Sequence, residues 1–432
     1  MLLGALLAYT GACNRDAHTS IHTDAEPEIP PTMTKDAGAP ADVDGGNIPQ
    51  PDPCATTAAI PSFAESVASP TTASYSIASA RIGFTLAYRS DSNCSQLLAT
   101  PLPTSGVLPQ GAIIAGENDC TRYREVALLP LADDRAQLSF VDNSSGHAEL
   151  FTQALDPRMV PSADPIRLTD NDAQERGLAM ATLGAGPAVA YVERKTSGDA
   201  LRLRVLDATE AALLVPEGAG HRPSGLAMTA LTAGGAVAWV NSEGEHPGVW
   251  LNALTTDGEA NGTPVALSPL SGPTASVDLA VQNRGGDAEQ GGAAVYSVWV
   301  GETGRELRFR RLDARGAPRD QERKLLGAPL RAGDASITSL GDAYAVAYRA
   351  LADGVLITEP QIRLLFVSAE GDVQRDDYGR PRSHFVDSAS NTAGRLTVRS
   401  STDGRLLIGW VDGDDSGRFQ LRLSRLQLDC AL

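Results

Sequence analysis

Val189-Ala190-Tyr191-Val192-Glu193 and Val237-Ala238-Trp239-Val240-Asn241 share one short pattern: an apolar residue, a small one, an aromatic, another apolar residue, then an acid or amide. The pattern returns, with Arg sometimes following the aromatic, at Leu86-Ala87-Tyr88-Arg89, Leu138-Ser139-Phe140-Val141-Asp142 and Val346-Ala347-Tyr348-Arg349. It also stands at Ile408-Gly409-Trp410-Val411-Asp412 and at Ser297-Val298-Trp299-Val300, where Val298 replaces the small residue. The aromatics fall at 88, 140, 191, 239, 299, 348 and 410, so the gaps are 52, 51, 48, 60, 49 and 62. Self-similarity at a period near fifty residues marks a repeat architecture.

The surroundings of the motif repeat as well. An apolar stretch and a Gly-rich turn precede it, as in Gly225-Leu226-Ala227-Met228-Thr229-Ala230-Leu231 followed by Thr232-Ala233-Gly234-Gly235. After it comes a strand of period two, clearest in Leu201-Arg202-Leu203-Arg204-Val205 and Leu307-Arg308-Phe309-Arg310. Alternation of Arg with Leu or Phe places one face on a core and the other towards water, which is strand behaviour rather than helix. The Thr256-Asp257-Gly258 turn then leads to the short apolar piece Pro264-Val265-Ala266-Leu267. Four antiparallel strands per unit and almost no helical period predict an all-β, seven-bladed β-propeller. The stretched gaps of 60 and 62 leave six or eight blades open. A small residue beside each aromatic lets neighbouring sheets approach, and the aromatics read as core filler rather than as a ligand cage.

The chain has 432 residues, 42 of them Gly and 27 Pro, with a formal net charge of −17. Such a surface repels nucleic-acid phosphates and anionic headgroups, so neither is an expected partner. At the N-terminus Leu2-Leu3-Gly4-Ala5-Leu6-Leu7-Ala8-Tyr9 is too short an apolar run to span a bilayer. It ends in Thr10-Gly11-Ala12-Cys13, which resembles a bacterial lipobox, with Thr10 three places before the cysteine and no Lys or Arg ahead of the run. That resemblance implies a signal peptide over 1–12, a lipid carried on Cys13 and an exported, membrane-anchored chain; Asn14 after the cysteine leans towards the outer membrane. Residues 13–54 carry Pro27, Pro30, Pro31, Pro40, Pro49, Pro51 and Pro53 with few large apolar residues, the composition of a disordered tether. The propeller is expected over 55–432, as a monomer.

Cys54, Cys94, Cys120 and Cys430 remain, and four cysteines in an exported chain allow three pairings. The fold expectation selects one of them. The last unit has strands near 393–399, 404–411 and 418–425 and then ends, one strand short. Residues 55–66 stand unused before the first blade. If they supply the missing strand, Cys54 lies near Cys430, and Cys94 bridges to Cys120 within the first blade.

No H-E-x-x-H, G-x-S-x-G, P-loop or strand-linked G-x-G-x-x-G sequence occurs, and His18, His22, His147, His221, His246 and His384 are scattered. Asp412, Asp414 and Asp415 in an Asp/Gly hairpin are candidate calcium ligands, although such residues also serve the turn itself. No other cofactor is expected. Asp142, Glu193, Glu243, Glu302 and Asp412 follow the motif aromatics and are expected on one rim of the ring as solvated loop acids.

With Ala238-Trp239-Val240-Asn241 and Thr256-Asp257-Gly258, residues 55–432 resemble bacterial secreted propeller lipoproteins with an A-W-x-D … L-D-x-x-G blade pattern, akin to WD40 and sialidase-like repeats. The resemblance implies fold and location; propellers host enzymes, lectins and scaffolds alike. The sequence reading leans towards a non-catalytic module that binds a protein or glycan and has no buried polar cluster in its channel. The alternative is a polysaccharide hydrolase or lyase, which requires carboxylates converging at the channel mouth.

Overall fold

The structure, a computed structural model, describes residues 56–428 except 68–74, 81–82, 91–95, 103–111, 116–122, 245, 269–273, 283–290, 301–303, 328–330, 352–358, 390–393 and 414–418. Cys13, Cys54, Cys94, Cys120, Cys430, Asp414, Asp415 and Glu302 lie outside the described residues.

Seven four-stranded antiparallel sheets form a β-propeller. The innermost strands of blades 1 to 7 are Tyr75–Ser79, Tyr123–Pro130, Gln174–Leu183, His221–Leu231, Thr274–Val281, Arg331–Leu340 and Gly394–Ser400. In blade 3 the chain continues outward through Gly186–Lys195, Gly198–Val205 and Ala212–Val215, and the other complete blades repeat that order. The seventh blade takes its outer strand from the start of the ring: Thr56–Val67 runs antiparallel to Phe419–Leu428, with Thr56 opposite Leu428 and Val67 opposite Phe419. The expected closure is thus present. Val67 also pairs with Ser90, which joins the seventh and first blades into one sheet.

Each core layer lies between two neighbouring sheets. One holds Leu203, Val205, Leu214 and Leu254 with Trp239, and the next but one holds Leu307, Phe309, Leu325 and Leu365 with Tyr344 and Tyr348. Phe140, Tyr191, Trp239, Tyr348 and Trp410 are all buried, as expected of filler.

The fifth blade corrects the motif reading. Trp299 is 39% exposed, whereas Tyr296 is fully buried. Tyr191 pairs across the sheet with Arg202 and Tyr348 with Arg363; in the fifth blade it is Tyr296 that pairs with the equivalent Arg308. Tyr296 is therefore the core aromatic of this blade, and Trp299 sits at the end of the strand with Arg305 over its ring, 5.5 Å from the centroid.

In blades 2, 4 and 5 the turns between third and fourth strands share one device. Asp313 Oδ1 accepts the N–H groups of Arg315 and Ala317, both at 2.9 Å, and Asp156 Oδ1 those of Arg158 (2.8 Å) and Val160 (2.9 Å). In the fourth blade the Thr255 hydroxyl has this role towards Glu259 at 3.1 Å, so the capping residue there is Thr255 and not Asp257. The turn closes on a residue of positive φ, Gly316 at +87°. A Cβ on Gly316 would stand 2.3 Å from the carbonyl oxygen of Gly235 in the preceding blade, so this turn requires glycine both for its backbone and for the close approach.

Candidate functional site

The innermost strands surround a central channel of about 790 Å³. The inner edge of each of these strands is a free sheet edge, and its N–H groups need partners. Two rows of side chains provide several. The residue paired with the position just before each core aromatic is Ser76, Ala127, Ala179, Ala227, Asp278, Ser336 or Thr397, in blade order. Ser76 Oγ accepts the N–H of Leu128 at 3.0 Å, Asp278 Oδ2 that of Ile337 at 3.2 Å, and Ser336 Oγ that of Val398 at 3.0 Å. Each bond runs to the next blade, one residue past the same row.

Two residues earlier a second row reads Glu125, Gly177, Gly225, Ser276, Asp334 and Arg395 in blades 2 to 7, at or beside a bulge in each strand. Ser276 Oγ accepts the N–H of Ala335 at 2.9 Å, and the Glu125 carboxylate takes those of Gly177 and Leu178. Gly177 and Gly225 have φ of +62° and +55°, which permits the bulge there.

Charge in the channel is concentrated on one side. Among the described lining residues the charged ones are Asp278, Arg395 and Arg399. Arg399 belongs to blade 7 and reaches past blade 6 to blade 5, its Nη1 3.4 Å from Asp278 Oδ2. The same carboxylate oxygen receives the Ser336 hydroxyl. The expectation of a channel without a polar cluster is thus not met, but the cluster contains a single carboxylate. The opposite wall is largely apolar, from Ala127, Ala179, Met180, Ala227 and Met228, with Thr182 and Thr229 beside them.

Three of the five acids expected on a solvated rim have a different placement, and the burial of Glu243 and Glu302 lies outside the described residues. Asp142, Glu193 and Asp412 are buried. Asp412 pairs with Arg422 Nε at 3.1 Å on the adjacent strand, and Glu193 pairs with Arg202 and with Lys195 at 3.3 Å. Asn241 occupies the same position in blade 4, its Oδ1 accepting the Arg222 N–H at 2.5 Å. The acid or amide of the motif is therefore a structural lock at the end of the second strand. Among the described residues no group of three or more His, Cys, Asp or Glu is placed to hold a metal ion.

A cluster that the sequence did not reveal lies between blades 2 and 3. Glu149, Glu175 and Glu193, all buried, gather around Asn171. The Asn171 Nδ2 donates to Glu175 Oε1 at 3.0 Å and Glu193 Oε1 at 3.2 Å, while its N–H donates to Glu149 Oε1 at 3.2 Å. Arg167 also donates to Glu149, at 2.9 Å. Burial, with the negative charges of Glu149 and Glu193 adding to it, pushes the Glu175 carboxyl up to about 7. In blade 4, His221 and His246 come together with ring centroids 5.4 Å apart, and Trp250 stands edge-on to His221 at 4.6 Å. Burial lowers the pKa of His221. His246 is exposed and Trp250 half-buried, so this aromatic group reaches the surface.

No family model matches the sequence, and no curated protein matches it. Among solved structures, the chain is similar to a lectin from Burkholderia pseudomallei at a TM-score of 0.55 and 13% identity, covering 81% of this chain and 95% of that one. It is also similar to a protein of unknown function from Dyadobacter fermentans (TM-score 0.45, 11% identity, covering 84% and 98%). A third is a sialidase from Streptococcus pneumoniae (TM-score 0.42, 9% identity, covering 88% and 71%). At these identities the likeness is one of fold.

Proposed function

We propose that the protein is a non-catalytic binding module for a glycan or protein partner, exported and held at the bacterial outer membrane or cell surface through lipid on Cys13. The observation that carries the non-catalytic reading is the state of the carboxylates. Glycoside hydrolysis needs two acids facing the substrate, one to donate a proton and one to accept a proton or attack. Asp278 is the one carboxylate among the described channel-lining residues, and it is held by Arg399 and Ser336. The three-glutamate cluster is buried and bound by Asn171, Arg167 and Arg202 rather than open to a ligand. The surface aromatics Trp250 and Trp299 favour a glycan, since a ring face stacks well on the apolar face of a sugar.

A glycan array probed with the purified chain, followed by incubation of each bound polysaccharide with the chain and size analysis of the products, tests this. Retained ligand of unchanged length is expected. Shortened products would establish the hydrolase or lyase alternative instead.

A further inference from the structure

We infer that the central channel is a binding site for a small carboxylate-bearing sugar of the uronate type, its carboxylate held between Arg395 and Arg399 and its hydroxyls met by the Ser/Thr wall of the channel. This deepens the binding-module reading and rests on it.

The first argument is charge. The protein as a whole carries −17, yet the described charged residues lining the channel are two arginines and one aspartate. Long-range repulsion from the acidic exterior is screened within about 8–10 Å at physiological salt, whereas a charge inside a partly enclosed cavity is screened far less. The local excess of positive charge therefore decides what the channel accepts. Asp278 offsets Arg399 at 3.4 Å, a separation longer than a tight charge-assisted hydrogen bond. Arg399 Nη1 also donates to the Val398 carbonyl at 2.7 Å, so both contacts fall on one nitrogen and Nε and Nη2 are left to meet a second carboxylate. Arg395 acts electrostatically on Glu125, which is engaged by the N–H groups of Gly177 and Leu178 and whose burial favours its neutral form.

Geometry is the second argument. Arg395, Thr397 and Arg399 follow one another at every second position along the innermost strand of blade 7. Arg399 reaches past blade 6 to blade 5 and lines the channel. An Arg guanidinium offers a planar fork of donors matched to a carboxylate.

The third argument concerns the hydroxyls. Ser76 accepts a backbone N–H from the next blade, and Thr338 accepts that of Ser400 at 3.1 Å. Such bonds hold the oxygen in place and leave a lone pair for a ligand O–H. Ser79, Thr229 and Ser400 add further hydroxyls to the wall. The apolar Ala and Met side opposite suits the C–H face of a pyranose. A volume near 790 Å³ lies within the usual range for small-ligand sites.

The test is calorimetric titration of the whole chain with methyl β-D-glucuronoside, against methyl β-D-glucoside and inorganic phosphate as controls. Binding of the glucuronoside with at least tenfold preference over both controls is expected. Arg395→Met and Arg399→Met should each weaken it about tenfold or more, the usual consequence of losing a charge-assisted contact. Asp278→Asn should strengthen it several-fold by freeing Arg399, a gain that a misfolded variant would not show. Failure of the glucuronoside to bind, equal binding of the glucoside or of phosphate, or indifference to both arginine substitutions would each overturn the assignment. A chain that captures neutral glycans or a protein but ignores the glucuronoside loses the channel assignment alone, whereas polysaccharide turnover removes the binding-module reading.

Discussion

The Tyr75 hydroxyl stands 2.7 Å from the carbonyl oxygen of Gly409, tying the innermost strand of the first blade to the second strand of the last. Burial raises the Tyr75 pKa, so the phenol remains a donor throughout the neutral range. Gly409 is the small residue of its motif for a visible reason: a Cβ there would lie 2.6 Å from Ile77 Cδ1 and 3.3 Å from the Tyr75 ring. Tyr75→Phe should destabilise the chain by about 1–2 kcal/mol through the lost bond, and Gly409→Ala by about 1–3 kcal/mol through overpacking. Urea unfolding midpoints measure both, and midpoints equal to wild type would show that ring closure does not depend on this contact.

The fifth blade offers a direct comparison. Tyr296 is enclosed between sheets and hydrogen-bonds the Leu267 carbonyl at 3.1 Å, while Trp299 is 39% exposed. Tyr296→Ala should cost about 3–5 kcal/mol, and Trp299→Ala no more than about 0.5 kcal/mol. Comparable losses for the two, measured by the same unfolding curves, would restore Trp299 to the core.

The closing strand carries a prediction about cysteine. Thr56 and Thr57 lie opposite Leu428 and Gln427. The sequence reading expects Cys54 to pair with Cys430 if this segment closes the ring, and the paired strand makes that pairing the one to test. A Cys54–Cys430 disulfide is therefore expected, and cross-linking so long a loop is worth roughly 5–6 kcal/mol in the chain-entropy description. Peptide mapping without reductant should recover the two cysteines in one linked pair; recovery of Cys54 linked to Cys94 or Cys120 would refute that pairing.

Glu175 gives the protein a pH dependence. Its carboxyl titrates at about 7 in the folded chain against 4.5 ordinarily, so the folded state holds a proton that the unfolded state has released. Stability from this group is greatest below pH 4.5, falls as pH rises through the window up to about 7, and is level above it. Glu175→Gln removes the charge while keeping an oxygen for Asn171, and should raise stability by roughly 1–3 kcal/mol at pH 8 and little at pH 4. Thermal unfolding at the two pH values checks this, and an equal change at both would exclude the mechanism.

The ring, its blade number and its closing strand were readable from the sequence because they rest on spacing and on burial of one side-chain type. The expected closing segment of 55–66 became Thr56–Val67. Misplacing the fifth aromatic had a simple cause: Val298-Trp299-Val300 imitates the motif, and only the cross-strand partner, Arg308 opposite Tyr296, separates the two. The motif acids were misread because a residue at a strand end looks the same in sequence whether it meets water or, like Glu193, an arginine on the next strand. The channel rows were not legible at all. Ser76, Ala127, Asp278 and Thr397 share no residue type, and what several of them bind is backbone of a blade one period further on.

The two channel rows divide the seams of the ring into two kinds. From blade 5 through 6 to 7, and from blade 1 to 3, side chains bond across each seam at the inner edge, whereas from blade 3 to 4 and from 4 to 5 the rows contain Gly177, Ala179, Gly225 and Ala227, which have no polar side-chain atom to offer. At the second of these seams the Leu279 N–H turns instead to its own Asp278, at 2.9 Å. These two seams are joined instead through backbone and core: the Ala185 N–H donates to the Thr256 carbonyl at 3.0 Å and the Ala233 N–H to that of Ala314 at 3.1 Å. Around blade 4 the ring therefore depends on apolar packing, with Trp239 in one seam and Tyr296 in the other, where elsewhere it depends on polar side chains at the channel.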